Sequence, residues 1–305
     1  MSLYGLFKGA GPSGFGYNST AADVAAGLDL TDKTYVITGC NSGLGAETMR
    51  VLADRGATVV GAARTETKAR RATDEVDGDA IPVVCELSEP DSVRKCVESV
   101  ADSVDAIDGL ICNAGIMALP ELNTKHGLEL QFLTNHVGHF ILIRGLIDSL
   151  ADDGRVVILS SRAHEQAPKG GIDYDNLDGS QGYDPLEFYG QSKFANLLCA
   201  KELQRRFGSD GRKAFAVHPG VIDTNLARHM NSGIQVALKV VGPLFLKSIP
   251  QGAATETWAA AHPDAARHAG EYLADCNVAE PRQDAEDPES AQRLWEWSES
   301  WVDGR

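Results

Sequence analysis

From about Lys33 onward, short apolar runs alternate with longer stretches whose apolar residues fall at helical spacing. That alternation commits a chain to βαβ units, because a strand buried on both faces needs a crossover helix before its parallel neighbour. The runs Thr34 to Thr38, Thr58 to Ala62, Ile81 to Cys85, Gly109 to Cys112, Arg155 to Ser160, Ala214 to His218 and Glu271 to Ala274 are the strand candidates. Leu44 to Arg55, Pro90 to Ser103, Leu128 to Leu150 and Pro185 to Phe207 carry the helical spacing. The expected architecture is α/β: one doubly wound sheet of about seven parallel strands with helices on both faces. The long connections fall after Ser161 and after Thr224, where substrate contacts are expected.

A chain of 305 residues, 43% hydrophobic and 23% charged, suits one large α/β domain or two small ones. No internal repeat or composition break divides it. The expected division is an N-terminal arm over residues 1–30, a catalytic domain over 31–280 and a helical extension over 281–305. In the extension Leu294, Trp295, Trp297 and Trp301 recur in a helix-like pattern between charges. The net charge of −15 disfavours nucleic acid and anionic membrane as partners. Six cysteines are scattered without a C-x-x-C pair, so reduced, buried thiols are expected. Residues 1–27 lack the apolar core of a secretory signal, and no apolar run of spanning length follows. These features predict a cytoplasmic protein with no membrane span.

Directly after the first strand comes Thr38-Gly39-Cys40-Asn41-Ser42-Gly43-Leu44-Gly45, leading at once into a helix. Glycines there let the backbone turn tightly and approach a pyrophosphate, and a helix N-terminus presents N–H groups and positive dipole to phosphate. The spacing is G-x-x-x-G-x-G, which departs from the generic dinucleotide fingerprint, and a plain glycine-rich turn is the alternative. The second strand ends Gly61-Ala62-Ala63-Arg64, without the acidic residue that would bond a ribose 2′-hydroxyl. Arg64 instead suits a 2′-phosphate, or is a solvated residue at a helix start. NADP(H) is the preferred cofactor on this reading and NAD(H) the second choice.

Tyr189-Gly190-Gln191-Ser192-Lys193 places a phenol and an ammonium four residues apart on one helical face. A nearby positive charge favours phenolate and brings a proton that titrates near roughly 10 closer to use. Alone, the spacing reads first as a half-buried tyrosine beside a lysine whose head reaches water.

With Gly39 to Gly45, Asn113-Ala114-Gly115 ending the fourth strand, Asn135 in a helix, Ser160-Ser161 ending the fifth strand and Tyr189 to Lys193, the chain resembles the short-chain dehydrogenase/reductase family. The similarity covers about residues 30 to 280 and implies a single-domain Rossmann-type fold. Thr38 to Gly45, Ala62-Ala63-Arg64, Asn135-His136-Val137-Gly138-His139-Phe140 and Ser160 to His164 resemble its retinol-dehydrogenase-like branch, which includes WW-domain oxidoreductases. The resemblance implies Tyr189 as general acid/base, with Lys193 lowering its pKa and holding the nicotinamide ribose hydroxyls. Ser161 would bond the substrate oxygen, with Ser160 as a less favoured substitute, and Asn135 would hold a water linking Lys193 to solvent. A preplaced hydroxyl and a phenolic proton are what hydride addition to a carbonyl requires, because negative charge develops on oxygen.

On the cofactor side the resemblance implies contacts from Gly39, Asn41, Ser42, Gly43, Leu44, Gly45 and Arg64. Glu86 and Leu87 stand where the family has an acidic residue beside adenine, and Glu86 replaces the usual Asp with a longer arm. Asn113, Ala114 and Gly115 would line the adenine ribose and brace the sheet. Pro219, Gly220, Val221 and Thr224, in His218 to Thr224, would hold the carboxamide. A homo-oligomer paired through the helices flanking the site is also implied.

His126, His136 and His139 lack the carboxylate or cysteine company of a metal site, so they read as structural and no metal is expected. His164 is a pocket candidate. Ile234 to Leu246 is apolar enough for a substrate lid, or for a membrane or subunit contact. The expected function is an NADP(H)-dependent oxidoreductase interconverting an alcohol and a ketone or aldehyde, with a small apolar substrate. A non-catalytic dinucleotide sensor or scaffold is the alternative, and dehalogenation or isomerisation on the same scaffold a third.

Overall fold

The computed structural model describes residues 4–222 and 246–305. One eight-stranded sheet runs through the molecule. Its strands are β1 (Thr34–Thr38), β2 (Thr58–Ala63), β3 (Ala80–Val84), β4 (Ile107–Cys112), β7 (Leu150–Leu159), β8 (Lys213–His218), β9 (Tyr272–Ala274) and β10 (Asn277–Val278). A separate two-stranded hairpin pairs β5 (Thr124–Lys125) with β6 (Leu128–Glu129). The sheet order is β10-β9-β8-β7-β4-β1-β2-β3, with every pairing parallel except β10 on β9. All seven expected strands are present within a few residues, and β10 is the addition.

Successive residues of the central strands enter opposite cores. Val36, Leu110 and Val156 join a cluster containing Phe132, Phe140, Phe194 and Leu198, whereas Ile37, Ile111 and Val157 join one with Met49, Leu52, Phe215 and Trp258. Both faces are therefore covered, which is why these strands read as continuous apolar runs rather than alternating ones. The helices are α1 (Ala21–Val24), α2 (Gly43–Ala53), α3 (Glu66–Asp74), α4 (Pro90–Ala101), α5 (Leu130–Phe132), α6 (Gly138–Leu146), α7 (Pro185–Phe207), α8 (Ile249–Ala261) and α9 (Pro288–Asp303). Between α5 and α6 the helix widens into a π turn over Leu133–Val137. Thr224 and residues 234–245 of the apolar stretch lie outside the described residues.

Both ends of the chain lie on the body. Asn277 in β10 accepts from Ser13 N at 3.0 Å and donates to Phe15 O at 3.1 Å, so the arm crosses the last strand. At the opposite edge, Pro82 sits in β3. The helix α9 buries Leu294 and Trp295 and covers α6 and α7: Trp295 meets Phe140 edge-on at 4.9 Å, and His136 bonds Ser298 at 2.9 Å. Among the described residues no helix is long and apolar enough to cross a membrane. All six cysteines are free and buried.

Candidate active site

The strand order reverses between β1 and β4, and a crevice outside the carboxyl ends of such strands is where open α/β sheets bind ligands. The glycine loop, Arg64, Asn113 to Gly115, Ser160-Ser161 and Pro219-Gly220 follow the ends of strands, whereas Asn135 and Tyr189 to Lys193 lie in helical segments. Gly39 follows β1 with φ +73°, and Gly43, at φ +63°, opens α2 with no heavy atom near a would-be Cβ. Ser42 caps that helix without a side-chain hydrogen bond, so the first N–H groups of α2 face outward uncapped. Leu44 and Gly45 are buried behind them, whereas Asn41 and Ser42 are exposed. Arg64 is exposed at the end of β2 and has no ion pair among the described residues.

Asn113 braces the two central strands rather than reaching outward. Its Nδ2 donates to Thr38 O at 2.8 Å, and the N–H groups of Asn113 and Ala114 donate to Thr38 Oγ1 at 3.0 and 3.1 Å. His139 completes this knot. Its Nδ1 lies 2.9 Å from the Asn135 carbonyl, which can only accept, so Nδ1 carries the proton and Nε2 accepts from Thr38 Oγ1 at 2.9 Å. Burial holds His139 down at about 4 and His136 at about 3, so both stay neutral. Gly115 faces the catalytic side: a Cβ there would stand 3.1 Å from Asn135 Oδ1 and 3.5 Å from Lys193 Nζ.

Asn135 lies in the π turn, a geometry often found at functional sites. Its Oδ1 accepts from Ile116 N at 2.8 Å, and its Nδ2 donates to Ile116 O and Ser192 Oγ, both at 2.9 Å. Tyr189, Ser192 and Lys193 are buried on α7, and Lys193 Nζ lies 5.7 Å from the Tyr189 ring centre. Lys193 donates to Leu159 O at 2.9 Å, which holds the ammonium against the end of β7. Burial pushes the Tyr189 phenol up to about 12, opposed by its hydrogen bond with Ser161, and pulls Lys193 down to about 8. Ser160 Oγ donates to the Lys193 carbonyl at 2.7 Å and is committed to the backbone, whereas the half-buried Ser161 hydroxyl points to Tyr189.

The remaining sequence candidates divide. Glu86 Oε1 accepts from Ser88 N and Oγ, leaving Oε2 without a bond among the described residues. Leu87 packs under Gly138, where a Cβ would come 2.3 Å from its carbonyl. Pro219 and Gly220 are half-buried beside the Lys247 stem, and Val221 O accepts from Lys247 N at 2.9 Å. His164, the pocket candidate, is buried and bonded at both nitrogens to backbone. Sequence reasoning missed Gln191, whose Oε1 accepts from Asp173 N at 2.7 Å, and the tie between Thr38 and His139.

The short chain dehydrogenase family model matches residues 33–175. Short-chain dehydrogenase TIC 32 B, chloroplastic, of Brassica napus is 40% identical over 99% of this chain and 99% of that protein. Human retinol dehydrogenase 13 is 35% identical over 87% of this chain and 83% of its own length. A crystal structure of an uncharacterised protein from Mycobacterium paratuberculosis superposes with a TM-score of 0.74 at 35% identity, covering 94% of this chain and 98% of that one. The blue fluorescent protein from a metagenomic library, solved in complex with NADPH, matches with a TM-score of 0.65 at 27% identity, over 81% of this chain and 97% of that one.

Proposed function

Because the chain belongs to the short-chain dehydrogenase/reductase family, in its retinol-dehydrogenase-like branch, we propose that it is an NADP(H)-dependent oxidoreductase interconverting an alcohol and a ketone or aldehyde. The observation that carries this reading is the joint burial of Tyr189 and Lys193 beside Ser161 and Asn135, at the ligand-binding ends of the central strands.

The residues present fit a nicotinamide dinucleotide. The uncapped N-terminus of α2 suits a pyrophosphate, and Arg64, with no ion pair among the described residues, suits a 2′-phosphate, which favours NADP(H) over NAD(H). NADPH in the metagenomic neighbour supports the same choice. Asn41, Ser42, Glu86 and Leu87 are proposed at the nucleotide end, and Pro219, Gly220, Val221 and Thr224 at the carboxamide end. The cofactor supplies the hydride.

In reduction, Tyr189 holds its proton until charge builds on the substrate oxygen, and Ser161 donates to that oxygen meanwhile. The buried Lys193 ammonium stabilises the phenolate left behind and is proposed to hold the ribose hydroxyls. Asn135 spends its side chain on Ile116 and Ser192, so a water serving Lys193 would be held at its backbone.

An apolar alcohol or carbonyl is the proposed substrate class, supported by the retinol dehydrogenases among the relatives. A cytoplasmic setting is consistent with six free thiols. A homo-oligomer stays in the proposal, but α9 already covers the α6–α7 face, so pairing would use another surface. The arm, catalytic body and extension are retained as functional units over 1–30, 31–280 and 281–305.

Purified protein with NADPH and a panel of apolar aldehydes and ketones should consume nicotinamide absorbance, and Tyr189→Phe should abolish it while leaving NADPH binding intact. Absence of dinucleotide binding would overturn the reading. Binding without turnover on any carbonyl or alcohol would favour a sensor instead.

A further inference from the structure

The turn that carries Ser161 is gripped from two sides, one of them the far end of the chain. His164 Nε2 lies 3.0 Å from the backbone N of Arg282, and His164 Nδ1 lies 2.7 Å from the Ser161 carbonyl. A backbone N–H can only donate and a carbonyl can only accept, so Nε2 is bare and Nδ1 bears the proton. The imidazole is thereby fixed as a bridge between the serine's own peptide and the C-terminal extension.

The Arg282 side chain reinforces the bridge. Its guanidinium donates to Ala167 O at 2.6 Å and Pro168 O at 2.7 Å, pairs with Asp284, and lies 4.7 Å over the Phe194 ring. From the opposite side, α7 presents Gly190, where a Cβ would stand 2.6 Å from Ala163 O and 2.9 Å from Ala167 N. Residues 161–168 are thus clamped between the helix bearing Tyr189 and a strap bearing Arg282. Within the clamp Ser161 Oγ also accepts from Ala163 N at 3.2 Å, so the hydroxyl cannot drift from the phenol without breaking the turn.

We propose that His164 and Arg282 are positioning residues for Ser161, which makes the C-terminal extension part of the substrate-oxygen site. The inference rests on the reading of Ser161 as the donor to that oxygen. Its physical basis is that such a donor works only within a few tenths of an ångström of its place, and a displacement of about 1 Å costs about 100-fold in rate.

The two nitrogens can be separated. Asparagine places a donor near the Nδ1 position and glutamine an acceptor near Nε2. Each variant breaks one end of the bridge, so His164→Asn and His164→Gln should both lose about 10- to 100-fold in kcat with NADPH affinity unchanged. In a Ser161→Ala background His164→Gln should cost nothing further, because its effect passes through that hydroxyl. Turnover within about threefold of wild type in either His164 variant, or a full additional loss on top of Ser161→Ala, would overturn the proposal. Unimpaired turnover in Ser161→Ala alone would instead overturn the role of Ser161 itself. A measurement free of turnover is the imidazole tautomer in 15N-histidine-labelled wild type: Nδ1–H supports the bridge, and Nε2–H near neutral pH contradicts it.

Discussion

Asn113 occupies the space that a side chain on Gly45 would need: its Nδ2 lies 2.5 Å from the position of a Cβ at residue 45 while donating to Thr38 O. The glycine loop and the end of β4 therefore share one volume. Gly45→Ala would force Asn113 off Thr38 or push α2 away from β1. The expected result is a loss of about 1–3 kcal/mol in stability, typical of overpacking, together with at least about tenfold weaker NADPH binding. Chemical denaturation and a fluorescence titration measure the two, and unchanged binding would show that the loop tolerates the shift.

Burial draws Lys193 down to about 8 and lifts Tyr189 to about 12. The pH dependence of kcat/KM reports groups of the free enzyme. For carbonyl reduction it should fall as pH rises through about 8, where Lys193 loses its charge, while Tyr189 keeps its proton. Lys193→Arg should lower the rate yet remove this fall, since a guanidinium does not deprotonate there. A wild-type profile level to about pH 10 would rule out Lys193 as the titrating group.

Glu256 is buried between α2 and α8, with Thr48 Oγ1 donating to Oε1 at 2.5 Å and no partner for Oε2 among the described residues. Burial lifts its carboxyl to about 8 from an ordinary 4.5, so it is the protonated form that the fold accepts. Stability from this group is fully present below about 4.5 and is lost as pH rises through about 8. Glu256→Gln should therefore gain on wild type with rising pH, by an amount on the order of a few kcal/mol near pH 9. Melting temperatures of both proteins from about pH 5 to about pH 9 give the comparison, and a constant difference would contradict it.

The sheet was legible because its strands are buried on both faces and separated by helix-spaced segments, as Thr34–Thr38 and Lys213–His218 illustrate. Two of the longer helices were not. α3 buries only Ala69, Ala72 and Thr73 of its nine residues, too narrow a stripe among charges. α8 fails for the opposite reason, since Gln251 to Ala261 are all buried and leave no polar face to mark a period. At the site, Tyr189, Lys193 and Ser161 were legible as residue types in a spaced order. The π turn at Asn135 was not, because the apolar pattern runs through it unbroken. Nor was the role of His164, whose partner Arg282 lies 118 residues away and is joined only by the tertiary fold.

Both margins of the sheet carry features that discourage further strands. Pro82 removes a donor from β3, and the arm lies across Asn277 in β10. A second chain arriving edge-on would find no continuous ladder of amides to join. The arm thus shields that short edge, and cutting it away should leave the molecule more prone to stacking into aggregates.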